Sequence, residues 1–122
     1  MLRILVADRL ASARSAIKLH LSRYSDEWQV VAEAENESSL LAQVEKICPD
    51  IVLMHVGVAE RPLSTLITEI KTNCTQLQVL VSSGDVELKT AIFNAGADGF
   101  MYLGDSPAKL ITKLRIIQTE QL

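Results

Sequence analysis

Cysteine is scarce in this chain: Cys48 and Cys74 are its only two. They have no close partner spacing, so neither a disulfide framework nor a zinc cluster is expected, and both read as small buried or half-buried residues. Charge of one sign is lacking as well. Twelve basic and 15 acidic side chains leave a net charge of -3, with both signs spread along the chain. No continuous basic stripe is available to neutralise phosphates, which argues against direct nucleic-acid binding by this segment. Long hydrophobic runs are also missing. The densest, Ile51 to Met54, falls far short of the roughly 18 residues that cross a bilayer. Between Arg3 and Asp8 lie only Ile4, Leu5, Val6 and Ala7, too few for the roughly 7 to 15 apolar residues of an export signal. The expectation is a cytoplasmic protein without a membrane partner.

What is present suits one globular domain spanning 1-122. The chain is 48% hydrophobic and 22% charged over 122 residues, a length that buries about two-thirds of the unfolded surface. There are no internal repeats, low-complexity tracts or linkers.

Three β-branched apolar runs, Arg3 to Ala7, Ile51 to His55 and Val79 to Ser83, read as strands buried on both faces. Trp28 to Ala32 and Gly99 to Leu103 are weaker runs of the same character. Between them lie stretches of helical period: Ala13, Ile17, Leu21 and Tyr24; Leu40, Leu41, Val44 and Ile47; Leu63, Leu66, Ile67 and Ile70. Leu88, Ala91, Ile92 and Ala95 predict a shorter fourth helix, and Leu110, Ile111, Leu114 and Ile117 a fifth. Asn36 and Ser106 suit N-caps, Pro107 a first helical position, Gly96 a left-handed C-cap, and Pro49 closes the second helix.

Strand and helix alternating five times, with right-handed crossovers, imply an α/β fold of three layers. The expected architecture is a small doubly wound five-stranded parallel sheet with five helices on its two faces. Such folds work at the carboxyl ends of their strands. The residues to inspect are therefore Ala7-Asp8-Arg9, His55-Val56-Gly57, Ser82-Ser83-Gly84 and Leu103-Gly104-Asp105.

Taken in order, RILVADR at the start, PDIVLM before the third strand exit, VLVSSGD at the fourth and AGADGFMYLGDSP into the last helix resemble the receiver domain of bacterial response regulators. The resemblance covers essentially the whole chain and implies the flavodoxin-like, CheY-like strand order 2-1-3-4-5. It implies a magnesium site made by an acidic pair after strand one and an aspartate after strand three. That aspartate accepts a phosphoryl group, whose oxygens meet a hydroxyl after strand four and a lysine after strand five. A carboxylate nucleophile, a charge-neutralising metal and cationic or hydroxyl donors are what phosphoryl transfer requires.

Matched position by position, the acidic pair is Ala7-Asp8, the phosphoacceptor position holds His55 and the lysine position Leu103. Asp8 and the switch hydroxyl Ser83 remain. One carboxylate where three are expected implies weak or absent magnesium binding and no other cofactor. The loop after His55 also departs from the family pattern, reading Val58-Ala59-Glu60-Arg61-Pro62, and the loop after Ser83 is one or two residues short.

The bland reading of His55 is a histidine hydrogen-bonded or ion-paired to Asp8; a pH-sensitive pair, a phosphoramidate or a two-ligand metal site are sharper alternatives. Asp8 reads as an N-terminal anion for helix one or a partner of His55, and only weakly as a metal ligand. Ser83 reads as a turn cap, with a small anion nest at Ser83-Gly84 as the alternative. His20 is expected to pack half-exposed. Phe100 aligns with the family's switch aromatic and, lacking a hydroxyl, is expected in a fixed packed rotamer.

The reading is a non-enzymatic pseudo-receiver, not phosphorylated on aspartate, that acts through a protein partner or homodimer. The resemblance implies an output surface on helix four, strand five and helix five, here Phe93, Phe100, Tyr102, Lys109 and Leu110, or on helices one and five. A transcriptional regulator whose output domain follows Leu122 is one setting. Two alternatives stay open: a divergent receiver that is still phosphorylated, and a flavodoxin-like nucleotide or flavin binder. The second needs a glycine- or hydroxyl-rich loop after strand one, and residues 7–12 contain no glycine.

Overall fold

The structure, a computed structural model, describes residues 1–120. Five strands form one parallel sheet in the order β2-β1-β3-β4-β5. They are β1 (Leu2–Ala7), β2 (Trp28–Ala34), β3 (Ile51–His55), β4 (Gln78–Ser83) and β5 (Gly99–Tyr102). The helices between and after them are α1 (Ala11–Ser22), α2 (Glu37–Ile47), α3 (Leu63–Asn73), α4 (Lys89–Asn94) and α5 (Ala108–Glu120). This is the expected doubly wound arrangement. The limits of β3 match the sequence expectation, and those of the other strands differ from it by one or two residues, at ends where apolar pattern gives way to loop.

Successive side chains of a strand point to opposite faces, and the two cores follow that rule. Leu5, Ala7, Val52, Met54, Val79 and Val81 pack under α2, α3 and α4 with Leu40, Val44, Leu66, Ile67, Ile70 and Ile92. Ile4, Val6, Ile51, Leu53 and Leu80 pack on the other face under Leu21 of α1 and Leu110, Ile111, Leu114 and Ile117 of α5. Both faces of the central strands are therefore dry.

Asn36 caps α2, its Oδ1 accepting from the Ser39 N–H at 2.8 Å while the Ser39 hydroxyl meets the Asn36 N–H. Gly96 takes φ 109° after α4, a conformation that favours glycine. The fourth helix is shorter than its pattern suggests. Leu88 belongs to a 3-10 turn, Val86–Leu88, that precedes α4, and both Leu88 and Ala91 are exposed. Only Ile92 of this helix is buried, because six residues give too few turns to lay a full stripe on the sheet. Helix α5 begins at Ala108, so Pro107 precedes its first turn.

The cysteines correct the sequence reading: Cys48 and Cys74 form a disulfide, with 5.8 Å between their Cα atoms. Cys48 is exposed and ends α2 in the left-handed conformation, φ 43°, whereas Cys74 is buried and ends α3. The two helices lie on the same face, so their C-termini meet although 26 residues separate the cysteines. Local spacing cannot show such a neighbour. Arg3 reaches the same corner, its guanidinium donating to the Ile47 and Cys48 carbonyls at 2.9 and 3.3 Å.

Candidate functional site

Alternation along the strands decides which residues crown each face. Ile51, Leu53 and His55 share one face of β3, and Leu80 and Ser82 the same face of β4. His55 and Ser82 are register partners, and Ser82 pairs onward with Met101. Ser83 crowns the opposite face and is buried. The two serines after β4 thus serve different faces, a distinction that adjacency in sequence hides.

The Asp8–His55 pair expected from the sequence does not form among the described residues. Each side chain satisfies a backbone N–H of its own loop instead. Asp8 Oδ1 accepts from Leu10 N at 2.9 Å, holding the entry to α1, whose N-cap Leu10 offers no side-chain bond. His55 Nδ1 accepts from Gly57 N at 3.0 Å and so caps the short 3-10 turn Val56–Val58. Local bonds two residues away cost little chain entropy and win over a pairing across strands. A Cβ at position 57 would sit 2.9 Å from His55 Nδ1, so a larger residue there would displace the imidazole. Arg9 crosses the same gap, its Nε donating to the Gly57 carbonyl at 2.6 Å.

The remaining matched positions fall as follows. Ala7 is buried in the α2–α3 face. The Ser83 hydroxyl accepts from Asp85 N at 3.0 Å, a turn cap, and Leu103 N donates to the Ser83 carbonyl at 3.0 Å. Leu103 is exposed beside it. Phe100 lies in the core, 3% exposed, and Leu110 is buried too, so neither belongs to the exposed output surface assigned to them above. Phe93 and Tyr102 are exposed. His20 is half-buried, its Nε2 bonded to the Pro107 carbonyl at 3.0 Å and its ring edge-on to Tyr24. Among the described residues no group of three or more His, Cys, Asp or Glu is placed to hold a metal ion.

Two features went unread in the sequence. The first is a cavity of about 540 Å³ at the strand tips, between α1 and the start of α5. Ala13, Ala16, Ile17, Met101, Pro107 and Leu110 wall it, and Asp8, His55 and Ser82 supply polar atoms. Small residues at 13 and 16 were its only trace. The second is the anchor of the β3–α3 loop. Glu37, buried at the first turn of α2, accepts from the backbone N–H groups of Glu60 and Arg61 at 3.0 and 3.2 Å and from Arg61 Nε at 2.7 Å. Burial alone would raise the Glu37 pKa, but the Arg61 guanidinium and the two N–H donors outweigh it and hold the carboxyl below its ordinary value. Arg61 also reaches Glu69 at 3.1 Å, and its two carboxylate partners raise its own pKa. On the other side, Lys18 and Arg14 bind Glu33 of β2 at 2.9 and 3.0 Å and lower its pKa against desolvation.

Parallel strands in this order, with polar residues gathered at the exits of β1, β3 and β4, define a doubly wound α/β protein of flavodoxin-like topology. No protein-family model matches the chain. It is 32% identical over 101 residues to chemotaxis protein CheY of Bacillus subtilis (strain 168), spanning 81% of this chain and 82% of that protein. It is 28% identical over 120 residues to response regulator GacA of Pseudomonas viridiflava, covering 96% of this chain and 55% of that one, so the chain spans about half of that longer relative. Among solved structures, a LuxR-family two-component response regulator from Aurantimonas superimposes with a TM-score of 0.88 over 98% of this chain and 86% of that one, at 21% identity. The chain belongs to the CheY-like response regulator receiver family, whose members are two-component regulatory domains.

Proposed function

We propose that residues 1-122 are a receiver domain that works without aspartyl phosphate, a pseudo-receiver whose state is set by what it binds. The observation that carries this reading is His55. It stands where the family resemblance expects the phosphoacceptor aspartate, and its Nδ1 lone pair is occupied by Gly57 N–H. No carboxylate is left there to attack phosphorus. A magnesium ion does not fit the donor set either. Such a hard cation wants several oxygen ligands, whereas here the methyl of Ala7 replaces one carboxylate, an imidazole another, and one oxygen of Asp8 is already bonded to Leu10 N. The domain is regulatory and not an enzyme, needs no cofactor for phosphoryl chemistry, and acts through a protein partner or a second copy of itself.

The α4, β5 and α5 face supports that role. Phe93, Tyr102 and Leu103 are exposed there together with Lys109, an apolar patch with a charged rim of the kind that marks an interface. A longer regulator, with an output domain such as that of a transcription factor, is the setting we propose, in keeping with a relative of about twice this length. Its place is the cytoplasm, where the Cys48–Cys74 bond would meet reducing conditions.

The test is incubation with acetyl phosphate or beryllofluoride, with and without magnesium, read by intact mass and by amide NMR shifts. The expected result is no adduct and no magnesium-dependent shift at Asp8, His55 or Ser83. A stoichiometric phosphoryl adduct that a chelator abolishes would overturn the reading in favour of a divergent but working receiver.

A further inference from the structure

We infer that the strand-tip cavity between α1 and α5 is a binding site for a small, uncharged, mainly hydrocarbon molecule that carries a hydrogen-bond-accepting oxygen. Its volume of about 540 Å³ lies within the roughly 300 to 1,000 Å³ of small-molecule sites. Its walls are aliphatic, from Ala13 and Ile17 on one side to Met101 and Leu110 on the other. Burying apolar surface against such walls supplies the bulk of affinity, at about 25 cal/mol per Å² removed from water.

The polar atoms in the cavity select the rest of the ligand. The Ser82 hydroxyl lines it and makes no side-chain hydrogen bond among the described residues. His55 also lines it. Because His55 Nδ1 accepts from Gly57 N, the neutral ring carries its proton on Nε2, which is a donor. Ser82 and His55 are register partners on adjacent strands, so both donors rise from one spot of the sheet. A carbonyl or ether oxygen there would meet two donors, while one oxygen of Asp8 on the same lining is already held by Leu10 N.

Charge argues against an anion. Asp8 and Asp105 contribute carboxylates to the lining, and the one arginine, Arg9, has its Nε engaged by the Gly57 carbonyl at 2.6 Å. No lysine lines the cavity, Leu103 standing at its rim. A neutral molecule avoids the repulsion that a carboxylate or phosphate would meet. His20, bonded through Nε2 to the Pro107 carbonyl, straps α1 to the start of α5 at the same cavity.

An occupant would touch Tyr102 and Leu103, which also begin the exposed α4, β5 and α5 face. Coupling of the site to output rests on the function proposed above; binding itself does not. The two are separated by measuring binding without magnesium or any phosphoryl donor.

The probe is Prodan, an uncharged naphthyl ketone whose emission moves to the blue in apolar surroundings, titrated into the full 122-residue chain. Saturable one-to-one binding with a blue shift and amide shifts at Ala16, Ile17 and Met101 is expected. Ala13→Phe, which fills the cavity from α1, should weaken binding by about tenfold or more, and Ser82→Ala by about fivefold through loss of one neutral hydrogen bond. The anionic anilinonaphthalene sulfonate should bind more weakly than Prodan. Three results would overturn the inference: no saturable binding, binding that both variants leave unchanged, or preference for the anion. Concentration-dependent dimerisation abolished by Ala13→Phe, without Prodan binding, would overturn it too and assign the face to a second copy.

Discussion

The two faces of the sheet are built to different tightness. Under α2, α3 and α4, a continuous apolar cluster is closed at one end by the Cys48–Cys74 bond and at the other by the Glu37–Arg61 network. Under α1 and α5 an equally dry core gives way at the strand tips to a cavity of about 540 Å³. Helix packing on the first face fixes the loop after β3, while the second face leaves His55, Ser82 and Asp8 around open space. The difference teaches where change can occur at low cost. A cross-linked, fully packed face resists rearrangement, and a site for a variable partner belongs where contacts are missing.

The largest test of this contrast is to loosen the tight face. Cys48→Ser removes the cross-link at its exposed end and should lower stability by about 3 kcal/mol, as expected for a bridge between residues 26 apart. Thermal melting with and without dithiothreitol measures it. Hydrogen exchange should rise at α2 and α3 and stay level at α1 and α5; equal loosening on both faces would break the contrast.

A second effect is smaller. Glu37→Ala orphans the Glu60 and Arg61 N–H groups and should lose about 2 kcal/mol at neutral pH, read by urea unfolding. The Glu37 pKa is lowered in the folded chain, so its stabilisation is fully present above the ordinary glutamate range and is lost as pH falls through the folded value. The gap between wild type and variant should therefore narrow as pH falls below the ordinary glutamate value and through the lowered, folded one. A gap that persisted in acid would mean that Glu37 acts through packing alone.

The smallest change probes the open side. His55→Asp puts a third carboxylate on the cavity already lined by Asp8 and Asp105, and without magnesium should cost about 1 kcal/mol by like-charge repulsion. A melting temperature unchanged or raised in metal-free buffer would show that the cavity tolerates the charge, and would sharpen the contrast by showing how freely solvent screens that side.

Much of this was legible beforehand. The runs at Ile51 to His55 and Val79 to Ser83 announced buried parallel strands, because β-branched residues without alternation have water on neither side. Asn36 announced its helix through local capping chemistry. The short helix α4 was legible, but its buried stripe was not, because periodicity counts apolar residues and not turns that reach the sheet. The Asp8–His55 pair failed because each side chain had a nearer backbone donor, a choice of geometry that residue types alone leave open.

Order of elements, strand faces and the identity of the residues at each strand exit were determined by the chain itself, since they depend on period and on breakers a few residues apart. The disulfide, the Glu37 anchor and the cavity were decided only by the tertiary structure. Each joins residues tens of positions apart, or arises from volume that no side chain fills, and neither distance nor emptiness is written in a local pattern.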